Sequence, residues 1–426
     1  MSLNNIILEL KKNIYLIIPI ICIPIWASLV LISTQINPDY AGFLYWDYSI
    51  WYGAGRQIFR DPTKLYDYNY GYDIGYTWTP CWASLFAISL SLIPYIIGYF
   101  LLYILNVISG MLMIREYNRI LILANIRKKS HRFIFLIIIS NGFIIFNVFI
   151  QNQNKLMIGF FIFYILRREL ECRISKIEKN LKYYLINYGL FVFVLGMAPY
   201  FIFLLLIYLF EEIRLKKLVK KGSIKIYSIV IVMFLLQNIL FFIYPILIVK
   251  FLEGFYKNTN FFIFYLYEWL RFSDEQTTQI NIIFSIFLFT LTMLLIINKK
   301  LRLEQKFAYF SIFAIFFSLF ANRILTFLLP LTLLLFLPFL KQELKGKEFI
   351  KQNKILLIGL LSVLGLYLNI NPETIYFIVL TILPFFNKIV LMFLINIRWI
   401  LLLIIMACSI IMLNLQSFCL KRDFKQ

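Results

Sequence analysis

The chain has 426 residues, of which 62% are hydrophobic and only 15% charged, with a mean hydropathy of +0.83. That balance excludes an ordinary soluble domain. The formal charge of +21 comes from lysines and arginines clustered between apolar runs, which fits positive-inside topology and anionic lipid rather than nucleic acid. Cys22, Cys81, Cys172, Cys408 and Cys419 show neither zinc nor disulfide spacing, and His131 is the one histidine, so a Ser-His pair or a His metal cage is excluded.

In chain order, the apolar run 14–34 after Lys11 and Lys12 reads as a first retained span. It delivers a polar, aromatic loop, 35–94, to the outside. Within that loop, Trp46 to Phe59 reads as an amphipathic helix lying on the membrane, with Ile50, Trp51, Ala54 and Ile58 on one side and Asp47 near its start. Asp61-Pro62 has the form of an N-cap followed by Pro at the first helical position. Residues 82–94 are too short to cross and read as an interfacial or re-entrant helix. Span 95–117 returns to a basic cytoplasmic segment, 115–132.

Tight hairpins follow: 133–150 and 155–166 around the polar turn 151–154, then 183–197 and 200–210 around Ala198-Pro199. Basic segments 167–182, 211–225 and 299–306 are assigned to the cytoplasm. Span 226–248 leads to a second outer segment, 249–279, and 280–297, 307–321, 324–340 and 355–370 follow, with Arg323 in an outer turn. The stretch 374–420 is apolar. The expected fold is all-α, a single polytopic helical membrane domain over 1–426 with about 11–13 spans.

Five of the seven aspartates (Asp39, Asp47, Asp61, Asp67 and Asp73) lie in the first outer loop, among Tyr66, Tyr68, Tyr70, Tyr72 and Tyr76. Carboxylates at a membrane surface are costly to desolvate, so their segregation points to a site. Near a helix start, Asp47 is kept ionised by the macrodipole and remains a competent proton acceptor. The tyrosines suit sugar stacking and equally an aromatic belt.

Asp47-Tyr48, Tyr52-Gly53-Ala54-Gly55, Leu65-Tyr66-Asp67 and Tyr76-Thr77-Trp78-Thr79-Pro80 together resemble the first-loop pattern of the GT-C superfamily of membrane glycosyltransferases. The likeness is to polyprenyl-phosphate-mannose-dependent α-mannosyltransferases, and more distantly to the first mannosyltransferase of GPI-anchor assembly. It reaches about half the chain, through the Gln151-to-Asn154 turn and Met197-Ala198-Pro199. Tyr45 and Met197-Ala198 depart from it, standing where relatives carry a second acidic residue and a lysine.

The resemblance implies an inverting transfer from a polyprenyl-phosphate sugar to a glycan or glycolipid acceptor outside the cytoplasm, with Asp47 as base. Arg56, Lys155 and Arg323 are then the expected donor-phosphate contacts. Asp39, Tyr52, Tyr66, Asp67 and Gln153 are the expected sugar or acceptor contacts. No cofactor or metal is required, although Asp39, Asp67 and Asp73 could join Asp47 around a divalent cation. Membrane lipid is the other expected partner. A glycan polymerase or ligase, or a lipid or solute transporter or flippase, is the competing reading.

Overall fold

The computed structural model describes residues 3–36, 46–71, 74–76, 79–126, 128–140, 152–177, 179–198, 201–214, 222–253, 292–298, 301–316 and 331–336, with scattered single helical positions elsewhere. Asp39, Asp73, Arg323, nearly all of 374–420 and the second outer segment beyond residue 253 lie outside the described residues.

The described chain is helical, as expected, apart from one small hairpin. Helix α1 (Leu3–Ile36) precedes α2 (Trp46–Arg60), a 3-10 turn (Pro62–Lys64) and a hairpin of β1 (Asn69–Gly71) and β2 (Ile74–Gly75). Then come α3 (Pro80–Ala87), α4 (Tyr95–Leu123), α5 (Lys129–Ile139), α6 (Lys155–Ile174), α7 (Leu181–Met197) and α8 (Ile202–Arg214). Helices α9 (Gly222–Gln237), α10 (Ile239–Ile243) and α11 (Leu303–Phe316) follow. Two segments, Ile14–Ile32 of α1 and Tyr95–Leu123, are helices long and apolar enough to span a membrane.

Those two helices pack on each other, and α4 also runs along α6. Their outer faces are unpaired apolar stripes. On α1, Ile14, Ile18, Ile21, Ile25, Leu29 and Ile32 are 43–55% exposed at i, i+4, i+7 spacing, while Ile23, Ala27 and Val30 are buried. Such a stripe in water would forfeit roughly 1.5–3 kcal/mol per large side chain. Such a stripe fits a helix that is long and apolar enough to span a membrane.

Several sequence expectations are corrected. The helix read as 155–166 runs on into the basic stretch 167–182, because α6 carries through Arg167 and Glu169 to Ile174. Residues 303–306 of the basic segment 299–306 belong to α11, and Lys306 is fully buried. Region 226–248 is not one helix: it breaks at Asn238, whose side-chain amide donates back to the Phe234 carbonyl, and again at Tyr244-Pro245. Helical residues 246–253 run into the stretch read as the second outer segment.

The reason these basic segments fold inward is a buried ion network. Glu116 of α4 accepts from Arg167 Nε at 2.6 Å; Glu169 accepts from Arg173 at 2.5 Å and from Lys179 at 2.5 Å. Lys179 also pairs with Glu212, and Lys306 of α11 reaches Glu211 at 2.7 Å. Tyr183 and Tyr208 hydroxyls donate to Glu169 at 2.7 and 3.1 Å. Glutamates on α4, α6 and α8 are thereby neutralised in one place, as buried charges require. Glu116 lies 21 residues along α4 from Tyr95, about 31 Å at 1.5 Å per residue, so the network sits at the end far from α2.

Candidate functional site

Helix α2 begins at the sequence Trp46-Asp47, and Asp47 occupies its first turn, where unpaired backbone N–H groups favour an anion. The apolar face holds the helix down. Trp51 is fully buried, its ring edge-on to Trp82 at 5.5 Å and tilted on Phe86 at 5.6 Å. Tyr48 packs against Tyr95 at 5.0 Å and Tyr99 at 5.7 Å, at the start of α4. Burial, then the neighbouring phenols of Tyr95 and Tyr52, raise Tyr48 above the ordinary phenol range, so it stays neutral beside Asp47.

Two glycines permit these approaches. A Cβ on Gly55 would come within 2.9 Å of the Ala87 backbone nitrogen, so α2 and α3 touch through this residue. A Cβ on Gly98 would collide with the Tyr48 hydroxyl. The glycines of Tyr52-Gly53-Ala54-Gly55 thus serve packing, as the sequence indicates.

The segments singled out in the sequence converge at this end. Tyr99, whose ring lies against Tyr48, accepts at its backbone carbonyl from the Asn152 side-chain amide at 3.1 Å, and Asn106 donates to Asn152 at 3.0 Å. Asn152 takes a left-handed φ of 48° and opens the turn Asn152-Gln153-Asn154 that leads into α6 at Lys155. Asn152, Gln153, Asn154 and Lys155 are all buried, and the Asn154 amide nitrogen has no hydrogen-bond partner among the described residues. On the other side, Tyr76 donates to the Thr79 carbonyl at 2.6 Å, and the Thr79 hydroxyl donates to the Gly196 carbonyl at 2.6 Å. That second bond ties the end of the first loop to the turn at Met197-Ala198.

Tyr66 is half-buried, against Tyr76 at 5.7 Å and Phe251 at 6.1 Å. Asp67 is exposed and pairs with Lys250 at 2.6 Å, so the first loop and residues 246–253 meet. Sequence reasoning missed Lys250, Thr79, Tyr99 and Asn106. Lys250 and Asn106 left a signal, each interrupting a long apolar run.

Arg56 is not with Asp47. Nine residues separate them on one helix, which is half a turn out of phase and about 13 Å along the axis. Arg56 instead lines a groove of about 740 Å³ on the opposite face with Ser49, Tyr52, Arg60, Lys64 and Tyr70. Its guanidinium lies 5.8 Å from the Tyr52 ring centroid. Asp61, also at the groove, caps the 3-10 turn as expected: the Thr63 hydroxyl and N–H donate to it at 2.6 and 3.1 Å. The Thr63 hydroxyl holds its carboxyl below the ordinary range.

Of the expected contacts, then, Tyr52 and Arg56 share the groove, Tyr66 and Asp67 lie at the junction with 246–253, and Gln153 and Lys155 lie in the buried turn. Among the described residues, no group of three His, Cys, Asp or Glu side chains could hold a metal ion. Comparisons with protein-family models, with characterised proteins and with solved structures find no match to this chain.

Proposed function

We propose that this chain is a multi-pass membrane glycosyltransferase that moves a hexose, mannose in preference to glucose, from a polyprenyl-phosphate carrier to a lipid-linked or cell-envelope glycan on the extracytoplasmic face. What carries the reading is the convergence at Tyr99: the helix start bearing Asp47 and the buried polar turn ending in Lys155 are held against the same residue of α4. The apolar stripes on α1 and α4 support the membrane setting.

In this reaction Asp47 takes the proton of the acceptor hydroxyl as its oxygen attacks the anomeric carbon from the face opposite the phosphate. The bond between that carbon and the phosphate oxygen breaks, and the carrier phosphate leaves with the electron pair. Lys155 neutralises the leaving phosphate, and the Asn154 amide is a donor beside it. Arg56 is too far round α2 to share this task.

Transport has less support. Among the described residues the buried ion pairs gather at one end of α4 and α6, and Lys155 lies at the other end, rather than at mid-length, where a carried ion would be bound.

The test is an assay of purified protein against a panel of polyprenyl-phosphate hexoses. Asp47→Asn is expected to lower turnover at least about 100-fold with folding intact, the lower bound for a general base. Lys155→Ala is expected to raise the donor KM. Full activity in Asp47→Asn protein would overturn the assignment.

A further inference from the structure

We propose that the groove on the outer face of α2 binds a phosphate ester, at a site separate from the Asp47 face. Three cations converge there, Arg56, Arg60 and Lys64, against one carboxylate, Asp61, which leaves the surface at +2. Asp61 is engaged by Thr63 and lies 3.6 Å from Lys64. Among the described residues no carboxylate lies within ion-pair distance of Arg56 or Arg60. The two arginines are i, i+4 neighbours on α2, an arrangement that destabilises an isolated helix. An anion in the groove relieves it.

The chemistry of the lining names the anion. Guanidinium forks match phosphate oxygens in pairs, and Lys64 adds a point charge. Tyr52, Tyr68, Tyr70 and Tyr95 supply rings around them; the Tyr52 and Tyr70 hydroxyls, which donate to the Ile93 and Leu65 carbonyls, keep lone pairs to accept from the hydroxylated group that an ester carries. Leu92, Ile96 and Ile97, beside Tyr95, are 51–65% exposed, so an apolar chain can leave the groove along the start of α4. A phospholipid headgroup and a soluble phosphate ester share this chemistry. The site stands whether or not Asp47 is a base.

The experiment uses full-length protein in a neutral detergent, with dioleoylphosphatidylglycerol binding read by native mass spectrometry and glycerol 3-phosphate as soluble competitor. Phosphatidylglycerol is expected to bind more tightly than phosphatidylcholine, and Arg56→Ala/Arg60→Ala to weaken it at least about tenfold, as loss of charge-assisted bonds requires. Lys182→Ala, an exposed cation at the other end, is expected to leave binding unchanged. Displacement of the lipid by glycerol 3-phosphate identifies the headgroup as the ligand; arginine-dependent binding without displacement identifies the whole lipid. Equal binding to the wild type and the double variant, or no preference for the anionic lipid, overturns the proposal. Arg56→Gln and Arg60→Gln singly carry the same test if the double variant does not fold.

Discussion

Replacing Lys179 with methionine is expected to lower the unfolding free energy by about 3–5 kcal/mol, the cost of removing one partner from a buried ion pair. Lys179 is 1% exposed and bridges two carboxylates, Glu169 and Glu212, each 0% exposed. The loss falls unevenly. Among the described residues Glu169 keeps Arg173 at 2.5 Å and the hydroxyls of Tyr183 and Tyr208, whereas Glu212 keeps the Tyr184 hydroxyl, at 3.4 Å, and no cation, and faces the Glu169 carboxylate. The penalty is therefore that of Glu212 left charged in a dry site, and neutralising it removes most of the damage. Lys179→Met/Glu212→Gln is expected to recover all but about 1–2 kcal/mol, the residue of a lost hydrogen bond. The assay is reversible unfolding by dodecyl sulfate in mixed micelles, followed by tryptophan fluorescence. A single-variant loss below about 1 kcal/mol, the size of a solvent-exposed pair, would refute the reasoning, as would a double variant no more stable than the single.

Two further substitutions probe the other end. Gly55→Val places a branched side chain against the Ala87 backbone and is expected to cost about 1–3 kcal/mol of overpacking, with sugar transfer falling further than stability because α2 shifts against α3; the same titration, paired with the donor assay, checks both. Thr79→Val leaves the buried Gly196 carbonyl without its hydroxyl donor and is expected to cost about 1–3 kcal/mol in that titration, with a loss under about 0.5 kcal/mol counting against the bond.

Local rules made much of the first loop legible. The i, i+4 and i+7 spacing of Ile50, Trp51, Ala54 and Ile58 found α2, and Asp61-Pro62 found the cap, because both signals are written within a few residues. The positive-inside rule marks Arg167, Arg173, Lys179 and Lys306 as cations of one side but does not reveal that they are paired, because it counts cations near apolar runs without asking where their counterions lie. Arg173 and Glu169 are an i, i+4 pair, but Glu116 and Glu211, the partners of Arg167 and Lys306, lie 51 and 95 residues away in sequence, where no periodicity links them. Arg56 shows the reverse limit. Its place in the outer loop, where a lipid phosphate would lie, assigned it to the same site as Asp47, yet helical phase alone sets them on opposite faces.

The junction of Asp67 with Lys250 has a consequence for how a substrate could enter. At this seam the ion pair is partly exposed, with side-chain exposures of 40% and 26%, and beside it lie a bond from Lys250 to the Thr63 carbonyl at 3.2 Å and the Tyr66–Phe251 ring contact. An exposed pair contributes about 0–1 kcal/mol, close to thermal energy, whereas α2 is welded to α3 through Gly55 and a double row of aromatic rings. Parting residues 246–253 from the first loop is thus far easier than lifting α2. Because salt weakens an exposed pair of this kind, ionic strength becomes a latch on the seam.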